Sequence, residues 1–276
     1  MPQTILSSTE AGSQWRPAEP SATEFGVQAA VVVFPGSNAD AEMLRTLRHV
    51  VNVPTTEVWH RETSLPSGVD LVAIPGGFSF GDYLRSGAIA KVSPIVADLR
   101  RHVERGGLVL GVCNGFQILT ECELLPGALT RNTHLRFECR DVFVKVVAEG
   151  PFTRGLSERV LRLPIAHADG RYHIDAQGLT TLEAATGKAP AVALRYCSAS
   201  GEVEPASNPN GSLNAIAGVY GGPNRNVLGL MPHPERMSEA LHGSSDGRIL
   251  FDCAIAALVE HAAKAPSASV STTGAL

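Results

Sequence analysis

The chain has 276 residues, 44% hydrophobic and 18% charged, with 23 Lys plus Arg against 27 Asp plus Glu and a formal net charge of −4. That composition supports a buried core in one or two domains, excludes wholesale disorder, and argues against nucleic-acid binding as the main task. No apolar run reaches the roughly 20 residues of a membrane helix, and five cysteines without a C-x-x-C pair suit a reducing, cytoplasmic compartment better than a disulfide scaffold.

Residues 1–26 and 265–276 are polar and of low complexity, and are expected to form a flexible arm and a disordered tail around one domain spanning 27–264. The arm lacks an apolar h-region, so no secretory signal is expected. The domain opens with the β-branched run Ala29–Phe34, followed by a helical pattern over Asn38–Val51 with Met43, Leu44, Leu47 and Val50 on one face. Short strands are expected at Thr55–Trp59 and Leu71–Ile74, a helix at Ser93–Arg105 and a fourth apolar strand at Leu108–Val112. Strands and helices alternating at this rhythm predict a mostly parallel sheet flanked by helices. The second half carries strand patterns at Phe137–Val147, Val192–Tyr196, Leu213–Val219 and Val227–Met231, which either extend the sheet or form a small antiparallel flap. A last helix is expected over Gly247–Lys264, and Ser198–Gly211 reads as a hairpin tip or surface loop.

The sharpest chemical signal is GVCNGFQ, residues 111–117. A buried strand ends at Cys113 and an apolar helical pattern begins directly after it, the thiol counterpart of a strand–nucleophile–helix elbow. A helix N-terminus beside a sulfur favours the anionic nucleophile and offers free N–H groups to an oxyanion. The bland alternative is a small buried hydrophobe. A thiol nucleophile needs a base and the base an orienting group. Both stand in Pro232-His233-Pro234-Glu235, where an extended backbone lets His233 and Glu235 project to one side. By itself H-x-E is as readily a surface loop.

Pro75-Gly76-Gly77 follows the third strand at the carboxyl edge, where open α/β sheets bind ligands. Gly77 and Asn114 could each aim an N–H at an oxyanion; the competing reading is an ordinary βα turn. Two polar clusters, Asn132-Arg136-Glu138 and His167-Asp169-Arg171-His173, could hold a carboxylate or phosphate, or be solvated loops. The spacing of His167 and His173 fits no zinc pattern, so no metal site is expected. Cys122, Cys139, Cys197 and Cys253 read as core or half-buried residues, and His49, His60, His102, His242 and His261 as surface ones.

Five segments in order, PGGFSFGDYLRSGAIA, GVCNGFQ, NTHLRFECR, PIAHADGRY and GLMPHPER, resemble the glutamine amidotransferase subunits of phosphoribosylformylglycinamidine synthases, a class I amidotransferase family. The similarity covers roughly residues 29–262. It implies a flavodoxin-like fold and a triad of Cys113, His233 and Glu235, with Gly77 and Asn114 stabilising the oxyanion and Gln117, Asn132 and Arg136 binding substrate. It further implies glutamine hydrolysis, with ammonia passed to an ATP-dependent synthase subunit of the purine pathway and a possible small bridging subunit. No cofactor is expected on this chain, which lacks a P-loop, so ATP and Mg should sit on the partner. The polar loops Phe78–Ser86, Asn132–Arg140 and His167–Arg171 are expected near the carboxyl edge of the sheet, some of them facing the partner. Two other readings share the elbow: an amidotransferase serving a different acceptor, and a cysteine hydrolase of the protease or chaperone type. The latter commonly carries His directly after the nucleophile, where this chain has Asn114. A third reading is a binding module in which Cys113 is structural.

Overall fold

A computed structural model describes residues 25–264. The expected tail, and all of the expected arm except Phe25 and Gly26, lie outside the described residues.

The first half alternates strands and helices. Strands β1 (Ala29–Val33), β2 (Thr55–Trp59), β3 (Leu71–Ile74) and β4 (Leu108–Val112) are interleaved with helices α1 (Asp40–Arg45), α2 (Ile95–Glu104) and α3 (Asn114–Glu121). β1, β3 and β4 are buried along their whole length, as continuous apolar runs in a parallel sheet should be. The helix expected to reach Val51 is α1 for only its first turns; Thr46–Val50 widens into a π-helical segment.

The second half contains β5 (Ala128–Thr130), β6 (Glu138–Val146), β7 (Val160–His167), β8 (Arg171–His173), α4 (Ala176–Glu183), β9 (Ala191–Cys197), β10 (Ile216–Gly221), β11 (Val227–Leu230) and α5 (Asp246–Lys264). The main sheet has the order β2-β1-β3-β4-β11-β10-β9-β6-β7. Its first five members are parallel; β10, β9, β6 and β7 extend it antiparallel. β5 and β8 form a separate two-stranded ladder. Of the two arrangements the sequence allowed, extension of the sheet is the one adopted.

Several local expectations are corrected. His60 and His102 are buried rather than on the surface: His60 Nδ1 lies 3.0 Å from Ser93 Oγ, and His102 Nε2 lies 3.2 Å from the Leu108 carbonyl. Each polar ring finds a partner, which is what permits its burial. Cys139 is exposed, on an outward position of β6. The loop 198–211 is not wholly superficial, because Asn210 near its end is fully buried and donates to the Gly170 carbonyl at 2.8 Å.

Candidate active site

Two close approaches set the position of the elbow. β4 lies between β3 and β11, and the backbone N–H of Cys113 donates to the Leu230 carbonyl of β11 at 2.8 Å. A side chain at Gly115 would collide with the Ile74 carbonyl at the end of β3, so only glycine lets α3 start this close to the sheet. Between strand and helix, Cys113 takes φ 52° and ψ −104°. A non-glycine residue held in that region stores strain that its surroundings must offset, and such residues gather at active sites. Its thiol points at the Ala166 carbonyl of β7, 3.7 Å away.

β11 delivers the second component. Directly beyond it the His233 N–H donates to the Pro164 carbonyl of β7 at 2.8 Å, and His233 Nδ1 lies 2.5 Å from Glu235 Oε1. Both side chains are buried, and Nε2 of the ring has no hydrogen-bond partner among the described residues. Burial alone would lower the pKa of His233, but the Glu235 carboxylate, aided by Cys113, reverses the sign and raises it to about 10. A proton arriving on this ring is therefore held there. Gly76 shows how tightly the pieces meet: a Cβ on it would lie 2.6 Å from His233 Cε1 and 3.4 Å from Cys113 Cβ. Cys113 and the His233 imidazole thus flank the same glycine.

The neighbouring amides are arranged around that point. Asn38 and Phe78 donate across to the carbonyls of Gly76 and Gly36, which leaves the N–H of Gly77 between them out of the bridge. Asn114 is the first residue of α3, where an N–H has no intrahelical acceptor. The Asn114 side chain accepts from the Ser79 N–H at 3.0 Å and donates to Gln117 Oε1 at 2.9 Å. Gln117 Nε2 in turn donates to the Asp169 carbonyl at 2.7 Å. Beyond Asp169, the Ser86 hydroxyl donates to its Oδ2 at 3.1 Å. Asp82 is close by; burial pushes its carboxyl up, Ser86 opposes this, and the Asp169 charge adds to it.

The structure therefore gathers Cys113, His233, Glu235, Gly77, Asn114 and Gln117 at one place. Asn132 enters as a clamp: its Nδ2 donates to the carbonyls of Arg136 and His167, at 2.8 and 3.0 Å, and its Oδ1 accepts from the Gly170 N–H. Arg136 is exposed, and only its backbone joins this network. The polar segment at His167 is not a loop but the end of β7, and His167 is buried. Sequence reasoning did not pick out Thr46 and Ser238, whose buried hydroxyls both donate to the Glu235 carbonyl, at 3.3 and 3.1 Å. No pattern marks them, because their contact depends on the π-helical turn that brings Thr46 to Glu235. The carbonyls of Pro164 and Ala166 were equally invisible, since any residue supplies one.

A thiol elbow on a mostly parallel sheet, backed by a buried His–Glu pair, is the arrangement expected of class I glutamine amidotransferases. Residues 26–248 match the family model of the CobB/CobQ-like glutamine amidotransferase domain. The chain is 50% identical over 241 residues to the phosphoribosylformylglycinamidine synthase subunit PurQ of Bradyrhizobium diazoefficiens, covering 87% of this chain and 100% of the relative. It is 51% identical over 235 residues to the PurQ subunit of Rhodospirillum rubrum, covering 84% and 100%. Among solved structures, PurLQS from Thermotoga maritima contains a chain 37% identical with a TM-score of 0.71, covering 84% of this chain and 99% of that one. The chain belongs to the glutamine amidotransferase family, alongside the PurQ subunits of phosphoribosylformylglycinamidine synthase.

Proposed function

We infer that the chain is the glutaminase subunit of a phosphoribosylformylglycinamidine synthase, acting in purine biosynthesis. It hydrolyses glutamine to glutamate and ammonia, and the ammonia converts formylglycinamide ribonucleotide to the amidine on a separate synthase subunit. The match to PurQ relatives over their own full length supports the assignment. The observation that carries the chemistry is the buried His233–Glu235 pair facing the strained Cys113 across Gly76.

In this reading His233 takes the Cys113 proton, and the sulfur attacks the side-chain carbonyl carbon of glutamine. The resulting oxyanion is met by the N–H groups of Gly77 and Asn114. His233 returns the proton to the leaving nitrogen, the C–N bond breaks, and ammonia departs from a thioester on Cys113. Water activated by the same ring then releases glutamate and restores the thiol. Glu235 orients the imidazole and stabilises its cation. Gln117, held between Asn114 and Asp169, orients the substrate; Asn132 fixes the loop beside it, and Arg136 stands at the exposed edge for a carboxylate.

ATP and Mg belong to the synthase subunit, and a small third subunit bridges the two. The five free cysteines suit a reducing cytoplasm, and among the described residues no helix is long and apolar enough to cross a membrane. The synthase docks on the rim formed by Phe78, Tyr83, Leu84, Leu135 and Phe137, large apolar side chains left exposed on two loops beside the site.

The test is Cys113→Ala in the assembled complex. Glutamine-dependent amidine synthesis should vanish, and synthesis driven by added ammonium salts should persist at the wild-type rate. Loss of both activities in a folded, assembled variant would refute the division of labour.

A further inference from the structure

His167 is buried at the end of β7, and neither of its ring nitrogens has a hydrogen-bond partner among the described residues. Such a group calls for an explanation, because leaving a buried donor and acceptor unmet is costly. A side chain on Gly170 would collide with this ring, so the chain keeps room for it.

The location of the ring is informative. Pro164, three residues earlier on β7, accepts the His233 N–H, and Ala166, immediately before it, accepts the Cys113 thiol. On the other side, the His167 carbonyl accepts from Asn132, and its register partner across the β6–β7 ladder is Glu138. Glu138 Oε1 lies 3.2 Å from His134 Nε2, on the partly exposed 132–138 loop. His167 thus stands between the closed triad and the loop whose Leu135 and Phe137 are exposed.

We propose that His167 lines the first stage of the path by which ammonia leaves Cys113 toward the 132–138 loop and the synthase subunit. The proposal rests on the glutaminase reading above. Ammonia carries one lone pair and three N–H groups, and a neutral imidazole offers it one N–H and one lone pair. The ring must stay uncharged for this, since an imidazolium would lack the lone pair and could convert ammonia to the non-nucleophilic ammonium ion. Burial first, and then the nearby charges of His233 and His134, lower the His167 pKa to about 4, so the ring is neutral at physiological pH. The adjacent His233 is held in the opposite sense. One imidazole therefore delivers the proton that completes ammonia, and the next passes it on without adding another.

The experiment uses the complete complex with ATP, the ribonucleotide substrate and glutamine, and measures amidine formed per glutamate released. His167→Leu should leave the glutamine KM and the ammonium-driven synthesis unchanged. Coupling should fall by about fivefold, the scale of one lost hydrogen bond, with free ammonium appearing in the medium. His167→Asn, which keeps a neutral donor and acceptor, should recover most of the coupling. If His167→Leu does not fold, His167→Met carries the same test. A raised glutamine KM with intact coupling would make His167 a substrate contact and overturn the proposal, as would coupling and KM both unchanged. Failure of the glutaminase reading is separately visible as absence of glutamate release in the wild-type complex.

Discussion

The three residues of the proposed triad are held in unequal ways, and their substitutions should differ accordingly. His233 is fixed at its backbone by Pro164, at its ring by Glu235 and beside its Cε1 by Gly76, and in the proposed mechanism every proton transfer passes through it. Glu235 acts only through that ring, while its own carbonyl is held by Thr46 and Ser238. Removing the base should therefore cost about as much as removing the nucleophile, and neutralising the orienting group about 10- to 100-fold less. His233→Ala is expected to lower kcat for glutamate release by about 10⁶, and Glu235→Gln by about 10⁴. Purified variants assayed in the assembled complex give the ranking. Wild-type turnover in His233→Ala would remove this segment from the mechanism.

Among the elements, the junction of β4 and α3 is the least tolerant of change. A methyl group at Gly115 meets the Ile74 carbonyl rather than a flexible side chain, so the helix itself must move. Gly115→Ala should destabilise the fold by about 1–3 kcal/mol, and should lower activity further by displacing the Asn114 amide. Urea unfolding together with glutamate release measures both effects; unchanged stability would mean that α3 is less closely seated than the structure has it. The elements that were legible beforehand share one physical trait. β1, β3, β4 and β11 are short, wholly apolar runs between turn residues, and Cys113 and Pro232–Glu235 follow two of them directly. β7 escaped notice because Pro164 lies inside it and argues against a strand, although Leu161, Leu163 and Ile165 alternate inward. α4 was hidden by its weak apolar face, with Leu182 its one buried residue. His167 was visible as a polar residue, but its neighbours suggested a loop, and burial of an unpaired imidazole follows no local rule.

At the scale of the molecule, the exposed rim beside a closed triad predicts dependence on the partner. Leu84 is 90% and Leu135 72% exposed, and Phe80, Asp82 and Leu84 all take positive φ in the first of the two loops. Of the three polar segments, some of them expected to face a partner, 167–171 is less exposed than the other two: His167 and Gly170 are buried, and Ala168, Asp169 and Arg171 are half-buried. Alone, the chain should release glutamate slowly, and the synthase with nucleotide bound should raise the rate by about 100- to 1000-fold if it aligns the Gly76–Gly77 peptide. Leu84→Glu should leave the thermal midpoint unchanged and weaken association by about tenfold, read by sedimentation or calorimetric titration. Full turnover by the isolated chain would count against the switch. The order of the strands also has a temporal side. β11, last of the strands in sequence, lies in the middle of the sheet between β4 and β10, and the base and its carboxylate follow it directly. During synthesis the parallel and antiparallel portions can each begin to collapse, but the sheet is not continuous until β11 has emerged from the ribosome and entered the gap between β4 and β10. In the proposed mechanism a growing chain thus carries its thiol through most of translation without His233 to activate it, and glutamine is safe from it until the sheet closes.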